Sequence, residues 1–109
     1  MAGAKLVVMY PYPADVDVFE KAYTEEHMPM VTAETMPGMT KFIGSRVIGT
    51  ADGSPPAFYR IAELHFPSLE ALQNTASSEG AQKAVAHAVE ISTGGIPHFL
   101  VAQEEVFEF

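Results

Sequence analysis

Ala57-Phe-Tyr-Arg-Ile-Ala-Glu-Leu-His-Phe66 is the stretch on which the fold turns. Its aromatic and branched residues mark a β-strand, and strand geometry sends alternate side chains to opposite faces. One set is Phe58, Arg60, Ala62, Leu64 and Phe66; the other is Ala57, Tyr59, Ile61, Glu63 and His65. Neither set is uniformly polar, so neither suits open solvent, and the sheet that holds this strand needs a cover on each side.

The flanking sequence supplies one cover. Thr40 to Gly49 has strand-like content, and the turn-rich Thr50-Ala-Asp-Gly-Ser-Pro-Pro56 joins it to Ala57–Phe66 as an antiparallel hairpin with a long loop. Lys5 to Tyr10, a short apolar run closed by Pro11 and Pro13, predicts a buried first strand. Asp17-Val-Phe-Glu20 has the spacing of a capping box and predicts a helix start. Phe19, Tyr23, His27 and Met30 then follow at helical intervals and share the face turned to the sheet. Pro29 cannot donate to the carbonyl of Glu25 and crowds it, so a kink or break is expected near Met28. Met36-Pro-Gly-Met39 ends this helix.

Downstream, Ser68 reads as the N-cap of a short helix carrying Leu69 and Leu72, and Ser77-Ser78 separates it from a second piece. That piece sets Ala81, Val85, Ala88 and Val89 on one stripe and stops at Gly94-Gly95. His98 to Phe109 reads as a last strand with an apolar and acidic tail. The order β-α-β-β-α-β predicts a single α+β domain over residues 1–109, a ferredoxin-like arrangement with both helical units on one face of a four-stranded antiparallel sheet. A second copy of the chain would cover the other face, so a homodimer is expected, with Val106-Phe-Glu-Phe109 as a gripping arm.

Six Lys plus Arg oppose fourteen Asp plus Glu, and the resulting net charge of −8 repels phosphate backbones and anionic lipid surfaces. Neither nucleic acid nor a membrane is an expected partner. The absence of cysteine removes disulfides, thiolate metal sites and cysteine nucleophiles. The apolar run before Pro11 is too short for a signal core or a membrane span, which makes a cytoplasmic location the expectation. There is no Gly-rich phosphate loop after a strand and no nucleophile elbow, so a nucleotide cofactor and serine hydrolase chemistry have no support.

His27 is the first candidate for chemistry, because an imidazole on an apolar stripe beside a proline-induced gap needs a partner to offset its desolvation. The bland alternative is a core histidine satisfied by a backbone carbonyl or a tyrosine hydroxyl. Glu63 and His65, two apart on one strand, are expected to point to the same side with Tyr59 and Ile61 completing the row, where carboxylate and imidazole could work as acid and base. Glu63-x-His65 with His27 is a conceivable metal set, but no other close cluster supports it, so neither metal nor other cofactor is expected. Tyr10 and Tyr59 offer hydroxyls to orient a ligand, and Met9, Met28, Met30, Met36 and Met39 an adaptable apolar lining. His87, about 200° round the helix from Val85, is expected to face solvent, and His98 to be an ordinary surface residue.

Met9-Tyr-Pro11, Phe19-x-x-x-Tyr23-x-x-x-His27-x-Pro29-Met30, Ala62-Glu-Leu-His-Phe66 with Ser68-Leu69-Glu70, and Ser78-Glu-Gly80-Ala-Gln82 occur in this order along the chain. Together they resemble the EthD family, a branch of the dimeric α+β barrel proteins named for a link to ethyl tert-butyl ether degradation. The resemblance implies a ferredoxin-like fold, a dimer whose sheets meet as a barrel, and a cavity between sheet and helices or within the barrel. It also implies an oxidoreductase or an accessory protein of degradation, with some fungal relatives resembling dehydratases. One departure is Ala86-His87-Ala88, near where relatives tend to carry an acidic residue.

The expectation is therefore a protein that takes a small apolar or aromatic compound. Tyr10, Phe19, Tyr23 and Met30 would bind it, His27, His65 and Glu63 would transfer protons, and Tyr59 would orient it. Cofactor-independent oxygenation, or isomerisation or dehydration, would use the same groups. A non-catalytic carrier or stabilising subunit for a partner enzyme is the competing expectation, and a barrel interior filled by side chains a third.

Overall fold

Four strands, β1 (Ala4–Pro11), β2 (Lys41–Arg46), β3 (Phe58–Phe66) and β4 (His98–Gln103), form one antiparallel sheet in the order β2-β3-β1-β4 in the computed structural model, which describes residues 3–109. The helices α1 (Val16–Ala22), α2 (Leu69–Ala76) and α3 (Glu79–Ile91) lie between strands in the chain. This is the expected ferredoxin-like α+β topology.

The register sorts the two faces of the sheet. Ala4, Leu6, Val8 and Tyr10 of β1 stand opposite Phe66, Leu64, Ala62 and Arg60 of β3, and this set meets the helices. From the helical side come Phe19, Tyr23, Leu72 and the small-residue stripe Ala81, Ala84, Ala88 of α3, all buried. Alanines on that stripe leave the space between α3 and the sheet only partly filled. Tyr10 and Phe19 are fully enclosed, and withdrawing each such side chain from water contributes about 1.5–3 kcal/mol. On the opposite face Ile43, Glu63, Val7 and Leu100 form one cross-strand row and Ser45, Ile61, Met9 and His98 the next. Among the described residues no helix covers these rows.

Each helix begins on a side-chain cap. Ser68 Oγ accepts from the Ala71 N–H at 3.1 Å, as expected, and Ser78 Oγ from the Ala81 N–H at 3.3 Å, each worth about 1 kcal/mol. The first helix starts two residues earlier than expected. Asp15, not Asp17, is its cap, with Oδ1 accepting from the Val18 N–H at 3.1 Å. Glu20 does not reach back to complete a capping box, because its carboxylate is held by Tyr59 and Arg60.

Two further expectations are corrected. The last strand ends at Gln103, the partner of Ala4, and its pairing with the first strand closes one step further with the Glu104 N–H donating to the Gly3 carbonyl at 2.9 Å. Val106, Phe107 and Phe109 beyond it are exposed. The β3 row is also broken. Tyr10 pairs with Arg60 but Pro11 with Phe58, so Tyr59 is an extra residue in a β-bulge. The bulge turns Tyr59 to the helical side, where its ring meets Phe19 edge-on at 5.8 Å. Tyr59 therefore does not share a row with Ile61, Glu63 and His65.

The segment after β1 lies tightly on the turn that precedes β4. Ala14 N–H donates to Thr93 Oγ1 at 3.2 Å, and a β-carbon on Gly94 would overlap the Tyr12 carbonyl. Gly94→Ala is expected to lower stability by about 1–3 kcal/mol, read as a reduced urea midpoint with an unchanged slope. An unchanged midpoint would show that this contact is slack.

Candidate functional site

The site begins where α1 changes pitch. After Ala22 the helix widens into a π-helical turn, Tyr23–His27, in which the Met28 N–H donates to the Tyr23 carbonyl, and then tightens into the 3-10 turn Met28–Met30. Pro29 is the cause: with no N–H to give Glu25, the backbone cannot continue as a regular α-helix. The expected irregularity is thus present. Its effect is to keep Phe19, Tyr23 and His27 turned inward, all buried, with the Tyr23 and His27 rings 5.6 Å apart.

His27 has a polar partner at each ring nitrogen. Its Nε2 lies 3.4 Å from the Tyr10 hydroxyl, and its Nδ1 lies 3.0 Å from Nδ1 of His87. The two imidazole planes differ by only 10°, with centroids 5.2 Å apart. That separation equals the N···N contact plus the two ring radii, so the rings lie end to end in nearly one plane and the contact is an in-plane N–H···N hydrogen bond. Beyond it, His87 Nε2 is 3.7 Å from Glu26 Oε1, a largely exposed carboxylate.

His87 was expected in solvent, and the structure corrects this: its side chain is only 16% exposed. The angular estimate used Val85 as the centre of the buried stripe, but Val85 is half-exposed and the stripe is Ala81, Ala84, Ala88 and Ile91. Measured from Ala84, three residues earlier, His87 is only about 60° off the inward direction. The run of alanines was the available signal.

An apolar crevice of about 30 Å³ opens between the sheet and α3, walled by Leu6, Phe42, Ala88 and Phe99 among others. A second space of about 50 Å³ adjoins it, reaching Leu72 and Thr75, and Leu6, Met36, Leu64 and Val85 border both. Thr75 is already engaged, donating to the Pro37 carbonyl. Tyr10 and His27 are therefore the polar side chains this crevice offers among the described residues. Phe19 and Tyr23 pack against Tyr10 rather than border the space, and Met30 does not border it either. Of the methionines, Met36 alone lines it.

The remaining expected site residues fall into two other places. Tyr59 donates to Glu20 Oε1 at 2.6 Å, and Arg60 Nη2 holds both Glu20 oxygens at 2.9 Å while its guanidinium lies 4.5 Å over the Tyr23 ring. Burial would raise the Glu20 pKa, but these hydrogen bonds outweigh it and hold the carboxyl below its ordinary range. Arg60 and Glu20 were missed from sequence because the bulge that joins them leaves no periodic trace. Glu63 and His65 are on the uncovered face of the sheet. Glu63 bonds Lys5 at 2.8 Å, and that bond chiefly keeps its pKa low. His65 sits between Glu63 and Glu104, 3.5 Å from each. The sheet separates this group from His27, so neither the single cavity nor the three-residue metal set envisaged from sequence is assembled.

Burial, reinforced by the proximity of His87, lowers the His27 pKa to about 4 from the ordinary 6.5. Folding thus favours the neutral ring. Between these two values the unfolded chain binds the proton and the folded one does not, so stability is full above pH 6.5 and falls as the pH drops towards 4, by up to about 3 kcal/mol. In urea titrations across this window, His27→Gln is expected to flatten that part of the profile; an unaltered profile would show that His27 is not held neutral.

Comparison with known proteins supports the family resemblance. The family model for the EthD domain matches residues 12–91. An uncharacterised 11.0 kDa protein in the thcB-thcC intergenic region of Rhodococcus erythropolis is 33% identical over 103 residues, spanning 94% of this chain and 96% of that protein. The crystal structure of an ethyl tert-butyl ether degradation (EthD) family protein from Bacillus halodurans shares 23% identity with a TM-score of 0.84, covering 96% of this chain and 100% of that one. A dimeric ferredoxin-like protein of unknown function from Jannaschia shares 22% identity with a TM-score of 0.70, covering 95% and 99%. By its fold, its motif segments and these matches, the chain belongs to the EthD family.

Proposed function

We propose that the chain binds a small apolar or aromatic compound in the crevice between sheet and α3 and acts on it by proton transfer, with His27 as the general base and the Tyr10 hydroxyl as the group that orients the reacting oxygen. The observation that carries this is a buried, neutral imidazole beside a hydroxyl in an otherwise apolar space. At physiological pH a neutral His27 offers a bare nitrogen to a proton, and burial makes the ring give that proton up again readily. Burial holds the Tyr10 pKa well above its ordinary value, with the nearby Tyr23 adding to this, so Tyr10 keeps its proton and can donate a hydrogen bond.

Removing a proton next to a carbonyl or on a phenol is the first step of isomerisation and dehydration. It is equally the first step of oxygenation through a substrate carbanion, and a dry crevice favours all three. The free volume is small, so a ligand of ten or so atoms must join the two spaces by displacing Met36 and Val85, of which Met36 is the flexible one. A carrier would need the apolar walls but not the paired imidazoles, which is why the catalytic reading is preferred.

Two tests follow. With small aryl ketones such as 1-indanone in heavy water, wild-type protein is expected to accelerate deuterium uptake beside the carbonyl, and His27→Gln to lose at least about 100-fold of that acceleration. Binding of the ketones without any acceleration would favour the carrier.

The uncovered sheet face supports a homodimer in which that face meets its twin. Val7, Met9, Ile61, Ile43 and Leu100 stand on it, Leu100 half-exposed, and a monomer would leave them in contact with water. Sedimentation at micromolar concentration is expected to give a dimer, and Leu100→Arg a monomer; a stable wild-type monomer would refute the pairing.

A further inference from the structure

Three polar contacts lead outward from the crevice. The Tyr10 hydroxyl borders the apolar space, His27 Nε2 lies 3.4 Å from it, the two Nδ1 atoms of His27 and His87 are 3.0 Å apart, and His87 Nε2 is 3.7 Å from Glu26 Oε1. Tyr10 is fully buried and His27 nearly so, while Glu26 is 64% exposed. The row thus starts in the interior and ends in solvent. It draws on three separate elements: β1, the irregular continuation of α1, and α3.

Its hydrogen-bond direction can be deduced. Only one of two facing Nδ1 atoms can carry the proton of their shared bond, so of two neutral rings one is protonated at Nδ1 and the other at Nε2. If His87 donated, its bare Nε2 lone pair would face the Glu26 carboxylate, an anion against a lone pair. If His27 donates, His87 presents Nε2–H to the carboxylate and the bare Nε2 of His27 accepts from the Tyr10 hydroxyl. Every hydrogen then points the same way, outward from Tyr10 to Glu26.

We infer that Tyr10, His27, His87 and Glu26 form a proton relay that connects the crevice to solvent, with His87 as the positioning and shuttling residue between the base and the surface. The inference rests on the reading of His27 as the base. When the Tyr10 hydroxyl turns from His27 to the oxygen of a bound substrate, His27 Nε2 is bare and receives the proton abstracted from that substrate. His27 Nδ1–H passes to His87 Nδ1, and the His87 Nε2 proton leaves to Glu26 or water. One proton enters and one leaves, no ring becomes doubly protonated, and the return of a proton to the product runs the row backwards and restores the first arrangement. The 3.7 Å step at the surface is closed by rotation of the exposed Glu26 side chain or by a bridging water.

The test needs no substrate. Long-range proton–nitrogen correlation spectra of nitrogen-15-labelled protein at pH 7, assigned with His27→Gln and His87→Gln, report which nitrogen of each ring is protonated. The expected result is Nδ1–H on His27 and Nε2–H on His87. Glu26→Ala, an exposed change that spares the fold, is expected to make the opposite tautomer of both rings appear. A neutral His27 protonated at Nε2 would overturn both the relay and the base, because the nitrogen beside Tyr10 would already carry a hydrogen. A doubly protonated His27 would overturn both. Tautomers indifferent to Glu26→Ala would remove Glu26 as the outer end and with it the relay proposed.

Discussion

An imidazole enclosed by apolar walls must either lose its charge or lose the fold, because the charged ring gives up its hydration and gains nothing comparable. His27 is in that position, and much of the surrounding structure serves to make the neutral ring comfortable. Tyr10 and His87 supply partners for its two nitrogens, the π-helical turn aims it inward, and the alanines of α3 leave room for a second ring beside it. Pro29 lies at the root of this. By forbidding a regular turn it sets the direction of the residue two positions earlier, so a defect in one helix becomes the placement of a reactive group.

The bulge at Tyr59 is the second determinant. It brings Tyr59 and Arg60 to the same side of the sheet and lets both hold Glu20, which in turn fixes α1 against the strand from which the phenol comes. The result is a molecule with two chemically distinct faces. On the helical side are an apolar crevice and a row of neutral hydrogen bonds; on the other, apolar side chains beside the Lys5–Glu63–His65–Glu104 group, where charge and exposure are greater. The proposed proton transfer belongs to the first face and the proposed association to the second.

Much of this was legible in the sequence, and what was not has definable causes. Strand and helix order, the cap at Ser68, and the interruption at Pro29 follow from local chemistry that any chain obeys. The inward stripe Phe19, Tyr23, His27 follows from helical spacing. The bulge could not be foreseen, because alternation assumes that no residue is inserted, and one insertion moved Tyr59 away from Glu63 and His65. The partner of His27 could not be foreseen either, since His87 is remote in sequence and its orientation depended on which residues of α3 form the buried stripe. Alanine is a weak marker in a hydrophobicity pattern, yet here alanines at helical spacing form the buried stripe of α3. Reading Ala81, Ala84 and Ala88 as that stripe turns His87 inward.

Everything assigned to the helical face depends on His27 being uncharged where the protein works, and a residue-specific titration addresses this directly. Following the His27 ring resonances by NMR from pH 8 to pH 3, the structure leads to a ring that stays neutral through pH 7 and takes up its proton near pH 4. A His27 that titrates at pH 6.5 or above, as an imidazole in water does, would contradict the account.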